Sequence, residues 1–417
     1  MEFWHIRGGK RLTGACPIQG SKNASLPILA ASIVCPARTE LTEVPRLRDV
    51  DAALRILRHL GCRAEQQGNA VYIDSGLCSR STIPHALMEE MRSSVIFLGA
   101  LIARCGEARM SLPGGCQLGK RPIDLHLAAL RQLGAEIEQN GDEIVCRGGR
   151  LRGTRIALPF PSVGATENVM LAACAAEGET TLCGAAREPE ITALQDYLRA
   201  MGAHIRGAGT ERIVIEGMEP TGCVCARIPP DRIVAATMAC AAAATGGDVE
   251  LRGVDVRQFS AVVHFLNRAG CDIISRKRSL RILAPSRLRA VGEILTAPFP
   301  GFPTDAQPVL MAALLRSRGK TRITETIFEN RFRQVPELCR LGADIRVIDR
   351  VAEIRGVERL HGATLTAGDL RGGAAMILAG LAAEGETLVR DKGHITRGYE
   401  ALDQRLRELG ADVEMKN

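Results

Sequence analysis

A short phrase that returns six times along the chain constrains its fold more than any other feature. In each copy a helix-like run ends at a glycine, and a small residue and a strand-like segment follow, as in Leu133-Gly-Ala-Glu-Ile and Leu341-Gly-Ala-Asp-Ile. The glycines are Gly61, Gly134, Gly202, Gly270, Gly342 and Gly410, separated by 73, 68, 68, 72 and 68 residues. Glycine at such a position commonly ends a helix in the left-handed conformation. We therefore predict six copies of one α/β unit.

A second repeated phrase predicts where the core lies. Alanine-rich runs that end in glycine precede β-branched segments, as in Met311–Gly319 before Thr321 and Met376–Gly385 before Thr387. The run Ala235–Ala244 is apolar on every side, which is typical of a helix in a protein interior. Because each unit needs neighbours to bury its core, six units suggest two pseudo-symmetric groups of three.

The proline pair at 229–230 is predicted to mark the break between these groups, since prolines interrupt regular structure. We expect one domain at 21–229 and a second at 1–20 plus 230–417. The residues before 20 are then expected to form a strand or two that pair with the C-terminal group.

Composition narrows the possible functions. The chain has 54 basic and 47 acidic residues, a net charge of +7 and only 3% aromatic residues. The few aromatics argue against a base-stacking surface for single-stranded nucleic acid. No block of like charge stands out, which favours a cationic pocket for an anionic ligand over a nucleic-acid surface. The 14 cysteines are scattered without a C-x-x-C pair, which favours free thiols in a reducing compartment. No stretch is apolar for long enough to span a bilayer, so we expect a cytoplasmic protein.

The segment 111–126 carries the clearest candidate for chemistry. Its Pro-Gly-Gly at 113–115 predicts a loop, and Cys116 follows, close to Lys120 and Arg121. A thiol beside cations loses its proton more readily, and the thiolate is the reactive form. A small buried cysteine at a turn remains the simpler alternative.

Other charged residues lie beside Gly, Pro or Ser at the junctions between units. Lys22 precedes an apolar helix that Ser21 or Asn23 is expected to cap, and a helix N-terminus favours an anion. Guanidinium groups bind phosphate and carboxylate bidentately, and the candidates are Arg92, Arg121, Arg371 and Arg397. Asp305 is the best candidate for a general base. Surface ion pairs are the alternative for any one of these residues.

Several segments together resemble the UDP-N-acetylglucosamine 1-carboxyvinyltransferases, a family of enolpyruvyl transferases. The resemblance covers essentially the whole chain. The segments are Ser-Lys-Asn-Ala at 21–24, Leu-Pro-Gly-Gly-Cys at 112–116, Arg-Pro-Ile-Asp-Leu-His at 121–126, Gly-Ala-Thr-Glu-Asn at 164–168, Ala-Arg-Glu-Pro-Glu at 186–190, Phe-Pro-Thr-Asp at 302–305, Phe-Glu-Asn-Arg-Phe at 328–332 and Arg-Gly-Tyr-Glu at 397–400. The related 5-enolpyruvylshikimate-3-phosphate synthases share the fold but not this Gly-Gly-Cys loop.

The resemblance implies two inside-out α/β barrel-like domains, each of three repeated units, that close over substrates in a cleft. It implies transfer of enolpyruvyl from phosphoenolpyruvate to the 3-hydroxyl of UDP-N-acetylglucosamine, the first committed step of peptidoglycan synthesis. Phosphate is released, and no metal or organic cofactor, nucleic acid or membrane takes part.

The resemblance also implies roles for particular residues. Cys116 matches the general acid that fosfomycin alkylates, and Asp305 matches the base near the sugar hydroxyl. Lys22, Arg121 and Arg397 match the phosphoenolpyruvate-binding set, with Asn23 and Arg371 close by. The residues that match contacts to the UDP-sugar are Arg92, Arg121, Pro122, Ile123, Asp124, Leu125, Ser162, Val163, Gly164, Asp305 and Ile327.

One position departs from the family pattern. Some members have a lysine two residues before the serine of Ser-Val-Gly, where this chain has Phe160. Two alternatives therefore stay open beside the transferase: a paralogue that uses another acceptor, and a UDP-sugar sensor without catalysis. The four residues that match the catalytic set count against the sensor, because a binding protein needs no matched acid and base: Cys116, Asp305, Lys22 and Arg397.

Overall fold

The computed structural model describes residues 1–91, 93–112 and 123–416. These residues divide into two compact units. The N-unit comprises the described residues of 20–229, and the C-unit comprises 1–19 together with 230–416. No helix in the described ranges has the length and apolar content needed to cross a bilayer.

The elements follow one another in a regular order along the chain. The C-unit begins with strands β1 (Glu2–Arg7) and β2 (Thr13–Pro17). The N-unit contains α1 (Lys22–Ala31), β3 (Arg38–Thr42), α2 (Arg48–His59), β4 (Arg63–Gln67), β5 (Ala70–Asp74), α3 (His85–Glu90), α4 (Phe97–Cys105), β6 (Glu107–Ser111), α5 (Asp124–Gln132), β7 (Glu136–Asn140), β8 (Glu143–Arg147), β9 (Arg155–Ala157), α6 (Val163–Ala173), β10 (Thr180–Cys183), α7 (Pro189–Ala200), β11 (Ala203–Arg206), β12 (Arg212–Met218) and β13 (Cys223–Arg227).

The rest of the C-unit repeats the same pattern. It contains α8 (Arg232–Ala244), β14 (Asp248–Arg252), α9 (Ser260–Arg268), β15 (Asp272–Arg276), β16 (Ser279–Leu283), β17 (Gly292–Leu295), α10 (Gln307–Leu314), β18 (Lys320–Thr324), α11 (Val335–Arg340), β19 (Asp344–Ile348), β20 (Val351–Arg355), β21 (Thr364–Thr366), α12 (Leu370–Ala382), β22 (Glu386–Asp391), α13 (Leu402–Glu408) and β23 (Asp412–Lys416). Short 3₁₀ helices span Ser94–Ile96, Val256–Phe259, Thr304–Ala306 and Ile395–Arg397.

The sixfold repeat predicted from the glycines is present as a structural unit. Each copy runs from an inner helix to a strand, then to an outer helix that ends at the repeat glycine, and then to a further strand. All six glycines have positive φ, from 89° at Gly342 to 104° at Gly202. A residue with a Cβ rarely adopts this conformation, so glycine ends each outer helix at low cost.

Each unit surrounds its inner helices with three sheets. In the N-unit the strand orders are β13-β3-β5-β4, β6-β8-β7 and β11-β12-β10-β9. In the C-unit they are β21-β22-β1-β23, β15-β16-β14-β2 and β17-β18-β20-β19. The inner helices α8, α10 and α12 pack against one another, and nearly every residue in them is buried. This agrees with the prediction that the helix around Ala235–Ala244 lies in the interior.

The N-terminal strands pair as the sequence predicted. Strand β1 is antiparallel to both β22 and β23, and β2 is parallel to β14. One of the two alternative caps predicted for α1 is confirmed. Ser21 caps α1 through a hydrogen bond from the Ala24 amide, whereas Asn23 lies inside the first turn and is not the cap.

Candidate active site

In the C-unit, Asp305 lies between two buried arginines. It sits in the 3₁₀ turn Thr304–Ala306, directly before α10. Arg331 Nη2 donates to Asp305 Oδ1 at 2.8 Å, and Arg371 Nη2 and Nε donate to Oδ2 at 3.2 and 3.3 Å. The arginine side chains are 2% and 4% exposed, while that of Asp305 is 30% exposed. The carboxylate therefore keeps access to a ligand while two cations fix its orientation.

Arg371 is the second residue of α12 and remains a charged group in the interior. Burial alone would lower the pKa of its guanidinium, but Tyr399, Asp305 and Asp231 together raise it above the ordinary value. The Tyr399 ring lies 5.4 Å from the guanidinium carbon, within the range of a cation–π contact. The Nη1 atom of Arg371 is buried and has no hydrogen-bond partner of normal geometry in the described part of the chain. A buried N–H group without a good acceptor costs free energy.

Two further candidates lie on short segments of the C-unit. Ile327 follows β18, and its amide N–H donates to the Glu325 carboxylate at 2.8 Å. Arg397 ends the 3₁₀ helix Ile395–Arg397, two residues before Tyr399, and is half-buried. The C-unit thus brings Asp305 and Arg371 into direct contact and places Arg397 two residues from the tyrosine against Arg371.

In the N-unit, Lys22 and Asn23 form the first turn of α1. Lys22 Nζ lies 3.4 Å from Asp49 Oδ2 on α2, and the two side chains are 13% and 3% exposed. The turn carries no acidic residue of its own. A helix N-terminus with a lysine in its first turn is suited to a phosphate or carboxylate.

The N-unit also places two candidate segments beside each other. Ile123 precedes α5, and Asp124 and Leu125 begin it; Ser162 caps α6, and Val163 and Gly164 begin it. His126 on α5 packs directly against Gly164 on α6. A Cβ added to Gly164 would lie only 2.7 Å from Cε1 of His126. Only glycine allows this close packing without displacement of the imidazole.

A buried hydrogen-bond network holds His126 in one neutral form. Asn168 Oδ1 accepts from the Gly99 amide at 2.6 Å, so its Nδ2 is the donor to Val95 O at 3.2 Å and to His126 Nδ1 at 2.8 Å. Nδ1 therefore accepts, and the ring proton lies on Nε2. Burial lowers the pKa of His126 to about 4, and Asp124 offsets this only in part.

This arrangement predicts a pH dependence of stability. Because the folded pKa is lower than that of the unfolded chain, His126 contributes stability above pH 6.5 that is lost as the pH falls towards 4. The loss is roughly 3 kcal/mol at the acid end. Urea unfolding from pH 4 to 7 will show it. In His126→Asn, the new Oδ1 keeps an acceptor for Asn168. The fall of the free energy of unfolding between pH 6.5 and 4 that His126 causes is expected to disappear in this variant.

The exposed His204 on β11 supplies the control for this experiment, and His204→Asn is expected to keep the wild-type slope. An unchanged slope in His126→Asn would contradict the assignment.

Some predicted residues lie outside the described ranges: Arg92, Cys116, Arg121 and Pro122. Within 1–91, 93–112 and 123–416, no group of three His, Cys, Asp or Glu side chains is arranged to hold a metal ion. A cavity of about 400 Å³ lies on the sheet that contains β14 to β16, lined by residues such as Asp248 and Arg281. It contains none of the candidate residues.

Several residues of these networks were not singled out from the sequence, among them Arg331, Glu325 and His126. Arg331 and His126 stand inside motifs quoted above, so their segments were noticed but their contacts were not. Glu325 stands in Ile-Thr-Glu-Thr, where nothing in the sequence distinguishes it from a solvent-facing residue at a strand end. The position of each partner in the fold is what gives these side chains their roles.

Comparison with known proteins gives a consistent result over the whole chain. The family model for EPSP synthase (3-phosphoshikimate 1-carboxyvinyltransferase) matches residues 6–406. The chain is 48% identical over 413 residues to UDP-N-acetylglucosamine 1-carboxyvinyltransferase 2 of Caldanaerobacter subterraneus, covering 99% of each protein. It is 45% identical over 409 residues to the UDP-N-acetylglucosamine 1-carboxyvinyltransferase of Geotalea daltonii, covering 98% of each.

Solved structures agree on the architecture. The enolpyruvyl transferase NikO from Streptomyces tendae superposes with a TM-score of 0.91 at 28% identity, covering 100% of this chain and 99% of the other. EPSP synthase from Acinetobacter baumannii, at 22% identity and a TM-score of 0.78 with full coverage of both chains, shares the fold. The expected enolpyruvyl transferase fold is thereby confirmed. The chain belongs to the UDP-N-acetylglucosamine 1-carboxyvinyltransferase family and is an enzyme of the enolpyruvyl transferase class.

Proposed function

We propose that the protein transfers enolpyruvyl from phosphoenolpyruvate to the 3-hydroxyl of UDP-N-acetylglucosamine and releases phosphate. This reaction is the first committed step of peptidoglycan synthesis. The observation that carries the proposal is similarity of 44–48% identity over nearly the whole chain to proteins that bear this activity in their names. The ion-paired Asp305 in the C-unit supports it, because the reaction needs a positioned base.

The chemistry assigns an acid and a base. A proton must reach C3 of phosphoenolpyruvate while the sugar oxygen attacks C2, and the addition product then loses a proton and phosphate. We assign proton donation to Cys116 and proton removal from the sugar hydroxyl to Asp305. Arg331 and Arg371 hold the Asp305 carboxylate in one orientation, so little rearrangement is needed when the hydroxyl arrives.

The remaining candidates are proposed to bind the two anionic substrates. Lys22, Asn23, Arg121, Arg371 and Arg397 are assigned to phosphoenolpyruvate, because cations and a helix N-terminus stabilise phosphate and carboxylate. For the UDP-sugar we propose contacts to Arg92, Arg121, Pro122, Ile123, Asp124, Leu125, Ser162, Val163, Gly164, Asp305 and Ile327. We further propose that the domains are 21–229 and 1–20 with 230–417.

The proposed compartment is the cytoplasm. All the cysteines in the described ranges are free thiols, as is typical of a reducing environment.

A second candidate function is transfer to another acceptor, and Phe160 is the observation that favours it. Its side chain, two residues before the α6 cap Ser162, is 43% exposed and carries no charge.

To test both candidates, the purified protein is given phosphoenolpyruvate with either UDP-N-acetylglucosamine or 3-phosphoshikimate, and the products are identified by mass spectrometry. We expect enolpyruvyl-UDP-N-acetylglucosamine alone. Product from 3-phosphoshikimate only would support the second candidate, and UDP-sugar binding without turnover would support the sensor.

A further inference from the structure

The C-unit contains a buried carboxylate that the proposed chemistry does not use. Glu325 directly follows β18, and the residue is 1% exposed. Its Oε1 accepts from the Thr296 hydroxyl at 3.0 Å and from the amides of Ile327 and Phe328 at 2.8 and 3.2 Å. Its Oε2 accepts from the Thr304 hydroxyl at 2.9 Å. Four donors from three separate segments thus converge on one side chain.

Two of these segments carry residues assigned to the substrates. Thr304 is the residue directly before Asp305, and its carbonyl oxygen accepts from Arg331 Nε and Nη2 at 3.1 and 3.0 Å. Arg331 also donates to Asp305. The segment before α10 is therefore fixed from both sides, by Glu325 through the Thr304 hydroxyl and by Arg331 through the Thr304 carbonyl.

The second segment carries Ile327. Glu325 closes a tight turn by accepting the Ile327 and Phe328 amides, so the backbone at 327 has one orientation relative to the carboxylate. The residue between them is tied to the same place, because the Thr326 amide and hydroxyl bond to the Thr296 hydroxyl and carbonyl at 2.8 and 2.6 Å.

We propose that Glu325 is a positioning residue that sets Asp305 and the backbone at Ile327 in register with each other for the acceptor sugar. The inference rests on the proposed function, which assigns both residues to the UDP-sugar. A charged acceptor suits this task better than a neutral one, since hydrogen bonds to an ionised group are shorter and stronger. Glu325 acts through Thr304 and the backbone and does not itself touch substrate.

The test removes one link at a time. Thr304→Val deletes the hydroxyl that joins Glu325 to the Asp305 segment, at nearly constant volume. Thr304→Ser is the conservative variant, because serine keeps that hydroxyl. Glu325→Gln keeps the shape but removes the charge. Thr321→Val is the matched control. Thr321 is a buried threonine on β18, the strand before Glu325, and its hydroxyl accepts from the Val291 amide without contact to the Glu325 network.

Steady-state kinetics should separate positioning from simple loss of stability. In Thr304→Val and Glu325→Gln we expect kcat to fall about tenfold or more and the KM for UDP-N-acetylglucosamine to rise. The KM for phosphoenolpyruvate should change less than that for the sugar, since neither substitution replaces a residue assigned to phosphoenolpyruvate. Thr304→Ser should recover most of kcat. Thr321→Val should lower the melting temperature and leave kcat unchanged.

Amide hydrogen exchange gives a readout that does not depend on activity. Thr304→Val should speed exchange at 302–306 and spare 327–328, whereas Glu325→Gln should speed both. Wild-type kcat in Thr304→Val, or failure of Thr304→Ser to recover it, would overturn the inference. If the wild-type protein releases no phosphate, the proposed function fails, and unchanged exchange in Glu325→Gln would then overturn the positioning role separately.

Discussion

Replacement of Asp305 by asparagine is expected to lower kcat by about 10² to 10⁴, the range typical of a lost general base. An amide cannot take the proton of the sugar hydroxyl, and its NH₂ group would face one of the two arginines that now donate to the carboxylate. Because Arg331 and Arg371 are both buried, we also expect the free energy of unfolding to fall by about 1–3 kcal/mol. Phosphate release and urea unfolding measure the two effects.

The C-unit offers a matched control for this substitution. Asp248 on β14 also accepts two hydrogen bonds from one arginine, Arg281, at 2.8 Å each, but the Arg281 side chain is 49% exposed, whereas both arginines bound to Asp305 are buried. Asp248→Asn should keep kcat within about twofold, because an exposed ion pair contributes little. Activity of Asp305→Asn within tenfold of the wild type would contradict the assignment of Asp305 as the base.

Replacement of Arg371 by lysine is expected to lower kcat/KM for phosphoenolpyruvate by about a hundredfold, although the charge is retained. Arg371 uses Nε and Nη2 to bind Asp305 and leaves Nη1 without a hydrogen bond of normal geometry among the described residues. A lysine ammonium carries its three donors on one nitrogen and has no planar fork, so it cannot reproduce the two bonds from Nε and Nη2 with the rest of the group in the same position. Steady-state kinetics with varied phosphoenolpyruvate will measure the effect.

Arg281→Lys is the companion control, since Arg281 is an exposed arginine bound bidentately to Asp248 in the same unit. It should leave kcat/KM unchanged. In the double variant Asp305→Asn with Arg371→Lys, the losses should be far from additive, because the two side chains act as one group. An unchanged KM for phosphoenolpyruvate in Arg371→Lys would exclude Arg371 from the binding set.

The repeat architecture was predictable from the sequence because each outer helix ends by the same mechanism. A glycine at positive φ is required at every copy, so its spacing survives in the sequence even where the other residues vary. Pairing of the N-terminal strands with the C-terminal half followed from the same count. The sequence left Ser21 and Asn23 as alternative caps of α1, because the choice depends on one hydrogen bond, here made by Ser21.

The candidate site was predictable only in part. Asp305 and Arg371 are charged residues beside turn-forming segments, and their types alone favour chemistry. Other residues acquire their roles from partners elsewhere in the chain. The partners of Arg331 are at 304–305, those of Glu325 at 296, 304 and 327–328, and those of His126 at 164 and 168. Burial decides whether such a carboxylate or imidazole is a solvated surface group or a fixed hydrogen-bond centre. The sequence alone does not show which of these side chains are buried.

The most direct test of the central claim is phosphate release by the purified protein with phosphoenolpyruvate, UDP-N-acetylglucosamine or both. The same assay is run on Cys116→Ala, with Cys339→Ala as a control at an exposed free thiol. We predict phosphate only when both substrates are present, its loss in Cys116→Ala and its retention in Cys339→Ala. Absence of phosphate from the folded wild-type protein, or full activity in Cys116→Ala, would contradict the account.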